Sequence, residues 1–174
     1  MTQSSTDSLS LSRTVLRALI KLNILVGFLI IVFFVVSLVA EDFVVRALHL
    51  PTPADNATII KGMRAIMIIG ILAAPLTHVV LSRLLAIVET VRAGDPFVIL
   101  NAARLQTIAW SVLSLEVMHL MVQAIAAGIS SKAMKIDISW DISVTRWLAV
   151  LMLFVLARVF DQGARMRDEL EGTV

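Results

Sequence analysis

Glu116, His119 and Gln123 stand where an otherwise uncharged helix is expected, spaced i, i+3 and i+7 and therefore on one helical face. Counted from a helix start near Leu105, Glu116 is about 16 Å deep by helical rise, close to the middle of a bilayer. A carboxylate at that depth must meet a cation or hold a proton, so such a trio suits proton or ion translocation, or a protonation switch. The same residues also suit a plain interhelical hydrogen-bond patch between helices or protomers. Glu116 and His119 form a Glu-x-x-His unit, but di-iron bundles need two such units and two further glutamates, and this chain has one. Haem held between His78 and His119 fails on depth, because His78 is only about 5 Å from its helix end and His119 about 21 Å from the matching one. His78 suits hydrogen bonding at a helix end, and His49 lies in a loop without clustered ligands.

Other chemistries lack their residues. The chain of 174 residues has no Cys, so disulfides, thiolate catalysis and Cys-ligated metals are excluded. No Gly-x-Ser-x-Gly elbow or Gly-rich phosphate loop occurs. The expectation is a non-enzymatic protein with no cofactor and no resident metal. A net charge of +2 gives no general affinity for nucleic acid.

The elements that position these residues follow from composition. With 59% hydrophobic and 16% charged residues and a mean hydropathy of +0.93, the chain carries more apolar surface than a soluble domain of this size buries. Residues 1–12 are polar and rich in Ser and Thr, and read as a disordered tail. Residues 13–174 read as one membrane domain with spans at about 20–40, 62–82, 105–126 and 144–160. The first follows Arg13, Arg17 and Lys21 and is too long for the core of a cleaved leader. The second carries a small-residue face of Gly70, Ala73, Ala74 and Thr77, which invites close approach of a neighbouring helix, and Pro75, which removes a backbone donor.

Between the second and third spans lies a polar hinge, residues 83–104. Leu84, Ile87 and Val91 continue the apolar pattern of the preceding helix beyond the membrane, and Gly94 is placed to end it with Asp95-Pro96 barring continuation. Phe97 to Leu100 form a short apolar link, and Asn101 is placed as N-cap of the third span with Arg104 in its first turn. Residues 41–61 and 127–143 read as aqueous loops. In the second of these, Met134, Ile136, Ile138, Trp140 and Ile142 alternate with polar residues, predicting a short strand.

Residues 161–172 read as an amphipathic helix. Its predicted apolar side follows Phe160, Gly163, Met166 or Arg167, and Leu170, and its charges allow Arg158–Asp161, Arg165–Asp168, Arg165–Glu169 and Arg167–Glu171 pairs. It would pack on Leu84, Ile87 and Val91 or dock a soluble partner. Placing the N-terminus inside puts Arg13, Arg17, Lys21, Arg83, Arg92, Arg104, Arg158, Arg165 and Arg167 in the cytoplasm, nine of fifteen basic residues. Both termini and the hinge then share the cytoplasmic face.

Two segments, LAIVETVRAGDPFVILNAARLQTIAW and LARVFDQGARMRDELEGTV, resemble the signature regions of a DUF-type family of small four-span bacterial inner-membrane proteins. That family has a Gly-Asp/Lys-Pro-Phe hinge, an Asn and Arg-Leu downstream, and a C-terminal Phe-x-x-Gly. Gly94, Pro96, Phe97, Asn101, Arg104, Leu105, Phe160 and Gly163 carry the match, which covers the second half well and the first two spans by hydropathy alone. The resemblance implies four spans and an unknown function. Its members are often encoded beside a small Xre/Cro-type helix-turn-helix protein, which implies a membrane partner for a transcription regulator; no catalytic residue is implied.

The expectation is therefore an all-α integral membrane four-helix bundle, with a short strand in its second outer loop. Phe97, Asn101, Arg104, Phe160, Arg165, Arg167 and Leu170 are candidate partner-binding residues. The leading function is a sensor or anchor that binds a cytoplasmic helix-turn-helix regulator. The alternative is an oligomeric proton- or ion-coupled transporter or channel subunit using Glu116 and His119.

Overall fold

The computed structural model describes residues 2–47, 53–95, 97–133 and 143–171. All the regular structure there is helical: α1 (Thr2–Val39), α2 (Glu41–Ala47), α3 (Pro53–Arg92), α4 (Ile99–Ala133) and α5 (Val144–Glu171). The strand predicted over residues 134–142 lies outside the described residues.

Three of the helices are long and apolar enough to cross a membrane, over Leu11–Val39, Ala57–Arg92 and Ile99–Ile129. Their surfaces agree with that. Fifteen large apolar side chains of α1 are exposed, Phe28 at 62% and Val39 at 82% among them. In water each would forgo about 1.5–3 kcal/mol of burial, which together exceeds the roughly 5–15 kcal/mol net stability of a domain. Lipid is the solvent in which this surface is stable. The chain is an all-α membrane helical bundle, as its composition indicates.

The fourth predicted span, 144–160, is helical within α5. Its uncharged stretch between Arg146 and Arg158 is eleven residues, 147–157, giving about 16 Å of rise against a hydrocarbon layer of about 30 Å. Its outward side is nonetheless apolar, with Leu148, Leu151 and Val155 exposed.

The helices pack chiefly in chain order, α1 on α3, α3 on α4 and α4 on α5. Each pair is antiparallel. Gly27 and Ala74 set the first: a Cβ on Gly27 would come within 3.2 Å of the Ala74 Cβ, and Gly70 faces Ile30 in the same seam. This is the close approach that the small-residue face of α3 predicts. Asn23 Nδ2 donates to the Ala74 carbonyl at 3.0 Å beside Pro75, which lies inside α3. At one end of the seam Arg64 donates to Ser37 Oγ at 3.1 Å, to the Ser37 carbonyl and to Glu41 Oε2 at 2.8 Å. At the other, Glu89 faces Arg13 at 3.6 Å and Arg17 at 3.9 Å. The best-packed core lies toward that second end, where Leu105, Ile108 and Ala157 are buried against Leu84, Ile87 and Phe160.

Two parts of the chain are more helical than expected. Helix α1 begins at Thr2, so residues 2–12 continue it rather than forming the tail expected from their composition. Extending an existing helix costs far less than nucleating one, so a segment of weak formers can follow a strong span. The predicted loop 41–61 contains α2 and the start of α3. Glu41 and Asp42 in the first turn of α2 and Arg46 in its last complement the helix dipole, and Pro53 opens α3, where its fixed φ suits the first turn.

Candidate functional site at the hinge

The link between α3 and α4 begins with the turn that ends α3. The Gly94 amide donates to the Val91 carbonyl at 3.1 Å and the Asp95 amide to the Thr90 carbonyl at 3.1 Å, while Gly94 holds φ at +84°. This is a Schellman cap with Gly94 at C′, as its position suggests. Pro96 is outside the described residues.

Helix α4 starts at Ile99, two residues before the predicted N-cap. The Asn101 amide donates to the Val98 carbonyl at 2.8 Å, so Asn101 lies in the first turn and Val98 precedes it as cap. The Asn101 side chain reaches across to α3 instead of capping α4. It is fully buried; its Nδ2 donates to Thr90 Oγ1 at 2.8 Å, and its Oδ1 accepts from Arg104 Nη1 at 2.9 Å. Arg104 also donates to the Ala86 carbonyl at 3.2 Å, and Thr90 Oγ1 approaches the Ile87 carbonyl at 2.8 Å and Asn101 Oδ1 at 3.2 Å. Asn101, Arg104 and Thr90 thus lock the two helices where the hinge joins them.

Helix α5 closes on the outer side of this lock. Phe97 and Phe160 stack with ring centroids 5.4 Å apart at 32°, and a Cβ on Gly163 would come within 3.4 Å of Phe97 Cδ1. Arg167 pairs with Asp95 in the hinge. Arg165 pairs with Asp161 at 3.3 Å and Arg158 with the same carboxylate at 3.9 Å. The inward row of α5 is Ala157, Phe160, Gly163 with buried Ala164, then Arg167. Met166, predicted as an alternative on the apolar side, is 61% exposed, because Arg167 takes the inward position toward Asp95. The side chain of Leu170 is outside the described residues. Of the predicted α5 pairs, Arg158–Asp161 forms, and Arg165 reaches the same carboxylate.

Between α4 and α5 a groove of about 550 Å³ opens, with an apolar floor that includes Ile99, Ala102 and Ala157 and a rim of Arg158, Asp161 and Arg165. Phe97, Ile99 and Leu100 are 47%, 52% and 61% exposed beside it.

The deeper polar residues form separate pairs. Glu116 Oε2 lies 3.9 Å from Arg146 Nε, and His119 Nε2 shares a 2.9 Å hydrogen bond with Gln123. Gln123 Oε1 is buried without a partner of its own. His78 lies on the α1–α3 side, away from the Glu116–Arg146 pair between α4 and α5.

Sequence reasoning missed Thr90, Asp95 and Arg146. Thr90 sits three residues after Ile87 on the face of α3 that meets α4, so helical spacing was a usable signal. Arg146 is not among the nine basic residues that the charge count places in the cytoplasm, and that count leaves it on the far aqueous side, as if α5 began level with the end of α4. It starts instead beside Glu116, roughly halfway along.

An all-α membrane protein whose second, third and last long helices meet at a glycine-capped hinge is the class these features define. Residues 45–174 match the family described as Protein of unknown function (DUF2975), and the chain belongs to that family. Searches of the curated proteins and of the solved structures found no match.

Proposed function

We propose that the chain is a non-enzymatic anchor or sensor in a bacterial inner membrane, with both termini cytoplasmic, that binds a soluble helix-turn-helix regulator at the hinge. The supporting observation is the apolar ledge at the hinge end: exposed Phe97, Ile99 and Leu100 beside a groove rimmed by Arg158, Asp161 and Arg165, two cations to one acid. A helix with an apolar row and acidic flanks is the complement of such a surface. The start of α1, the hinge and the end of α5 lie at one end of the bundle, through the Glu89, Asn101 and Phe97 contacts. The excess of basic residues at this end favours the cytoplasm. Helix α5 acts as the fourth embedded element, since Glu116 neutralises Arg146 and its outward side is apolar.

The test is crosslinking and capture from native membranes, comparing the intact chain with Phe97→Ala and with a chain lacking residues 165–174. The expected result is a helix-turn-helix protein captured by the intact chain, lost in both variants and retained by Glu116→Gln. Self-crosslinks alone, unchanged by either variant, would overturn the proposal.

A further inference from the structure

On the opposite side of α3 from the hinge groove, a second groove of about 510 Å³ runs between α1 and α3. Its walls are almost wholly apolar, with Ile24, Phe28 and Ile31 on one side and Ile71, Pro75 and Val79 on the other. Its floor is open because Gly27 and Ala74 carry little or no side chain where the helices touch.

The polar groups are confined to the end nearer the hinge. Asn23 and His78 line that part, and Asn23 is already bonded to the Ala74 carbonyl. Beyond them, Lys21 lies on the α1 stripe that continues through Ile24, Phe28 and Ile31, and Arg83 follows Val79 by four residues on α3. The antiparallel register that puts Gly27 opposite Ala74 and Arg17 opposite Glu89 brings Lys21 and Arg83 within about a helical turn of the same level. Both are exposed, and neither pairs with an acid among the described residues, whereas the neighbouring Arg13 and Arg17 are engaged by Glu89.

We propose that this groove binds one anionic phospholipid, an acyl chain lying along the Gly27–Ala74 floor and the phosphate held between Lys21 and Arg83. An apolar channel with uncompensated cations at one end only is the complement of an apolar tail with a negative head. A second copy of the chain is a poorer occupant. A two-fold axis along the membrane normal would place Lys21 and Arg83 at the level of their own counterparts, like charge against like charge. His78, which lines the same end, is the side chain available to donate to an ester carbonyl below the phosphate.

The proposal is independent of the regulator-binding reading and is tested on the full chain in vesicles. Phe28→Trp places a reporter in the groove, and its emission, taken as the difference from the chain with Phe28, is quenched by acyl-brominated lipid in contact with it. Brominated phosphatidylglycerol should occupy the site roughly tenfold more strongly than brominated phosphatidylcholine. Lys21→Gln with Arg83→Gln should bring that ratio near one. Arg92→Gln, at the same end but off the stripe, should leave it unchanged. Equal quenching by the two lipids, a preference that survives the double substitution, or a preference lost equally with Arg92→Gln would overturn the site, as would crosslinking of two copies through position 28.

Discussion

Replacing Asn101 with Ala should destabilise the protein by roughly 2–3 kcal/mol, more than a typical interhelical polar contact in a membrane protein contributes. The substitution removes a neutral hydrogen bond to Thr90 and a charge-assisted one from Arg104. Such bonds contribute about 0.5–1.5 and about 1.5–3 kcal/mol respectively. The total belongs in the lower part of that range, because Arg104 keeps the Ala86 carbonyl and Thr90 keeps the Ile87 carbonyl, so no charge is stranded. Interhelical bonds within lipid average only about 0.6 kcal/mol; Asn101 should exceed this because it is fully buried and joins two partners. Unfolding in mixed micelles, followed by loss of helical circular dichroism as denaturing detergent is added, gives the free energies. A cycle of Asn101→Ala and Thr90→Val should show a coupling of about 1 kcal/mol. A single-variant cost below about 1 kcal/mol, or a coupling within about 0.3–0.5 kcal/mol of zero, would refute the lock.

Gly94→Ala should cost about 1–2 kcal/mol in the same assay, because φ of +84° at the Schellman position disfavours any Cβ; no loss would mean that the turn rearranges freely. Gly163→Ala should be neutral or stabilising by up to about 1 kcal/mol, since a helix interior gains from Ala and half-exposed Phe97 has room to shift. Gly163→Leu should instead collide with the Phe97 ring and cost about 1–3 kcal/mol in the same assay. Equal stability of the two Gly163 variants would sink that argument.

The sequence made the helices legible where one physical signal dominated. Apolar length marked the first three spans, small residues marked the α1–α3 seam, and Gly94 before Asp95-Pro96 marked the end of α3. It misled where two roles competed for one residue. Asn101 has the side chain of an N-cap, but burial against α3 diverted it to Thr90. Periodicity left Met166 and Arg167 as alternatives for one inward position, and Asp95, seventy-two positions away, decides for Arg167. The Glu116–Arg146 pair was hidden because it depends on how far α5 lies back along α4, and neither hydropathy nor helical period reports that register. The composition of residues 2–12 does not by itself carry a helix; the strong helix that follows them does.

The ordering of the helices bears on how the protein is made. Each long helix after the first packs on the long helix made just before it, so each antiparallel pair can close as soon as its second member leaves the insertion machinery. Nothing synthesised early has to wait in lipid for the last helix to complete its main interface, and the sequence separation of contacts stays small for a chain of this length. Stability then builds by nearest neighbours, as in a repeat array. A ribosome that stalled before α5 would leave the α1–α3 and α3–α4 interfaces formed, but Leu105 and Ile108 uncovered, Glu116 without Arg146 and the surface beside Phe97 unfinished.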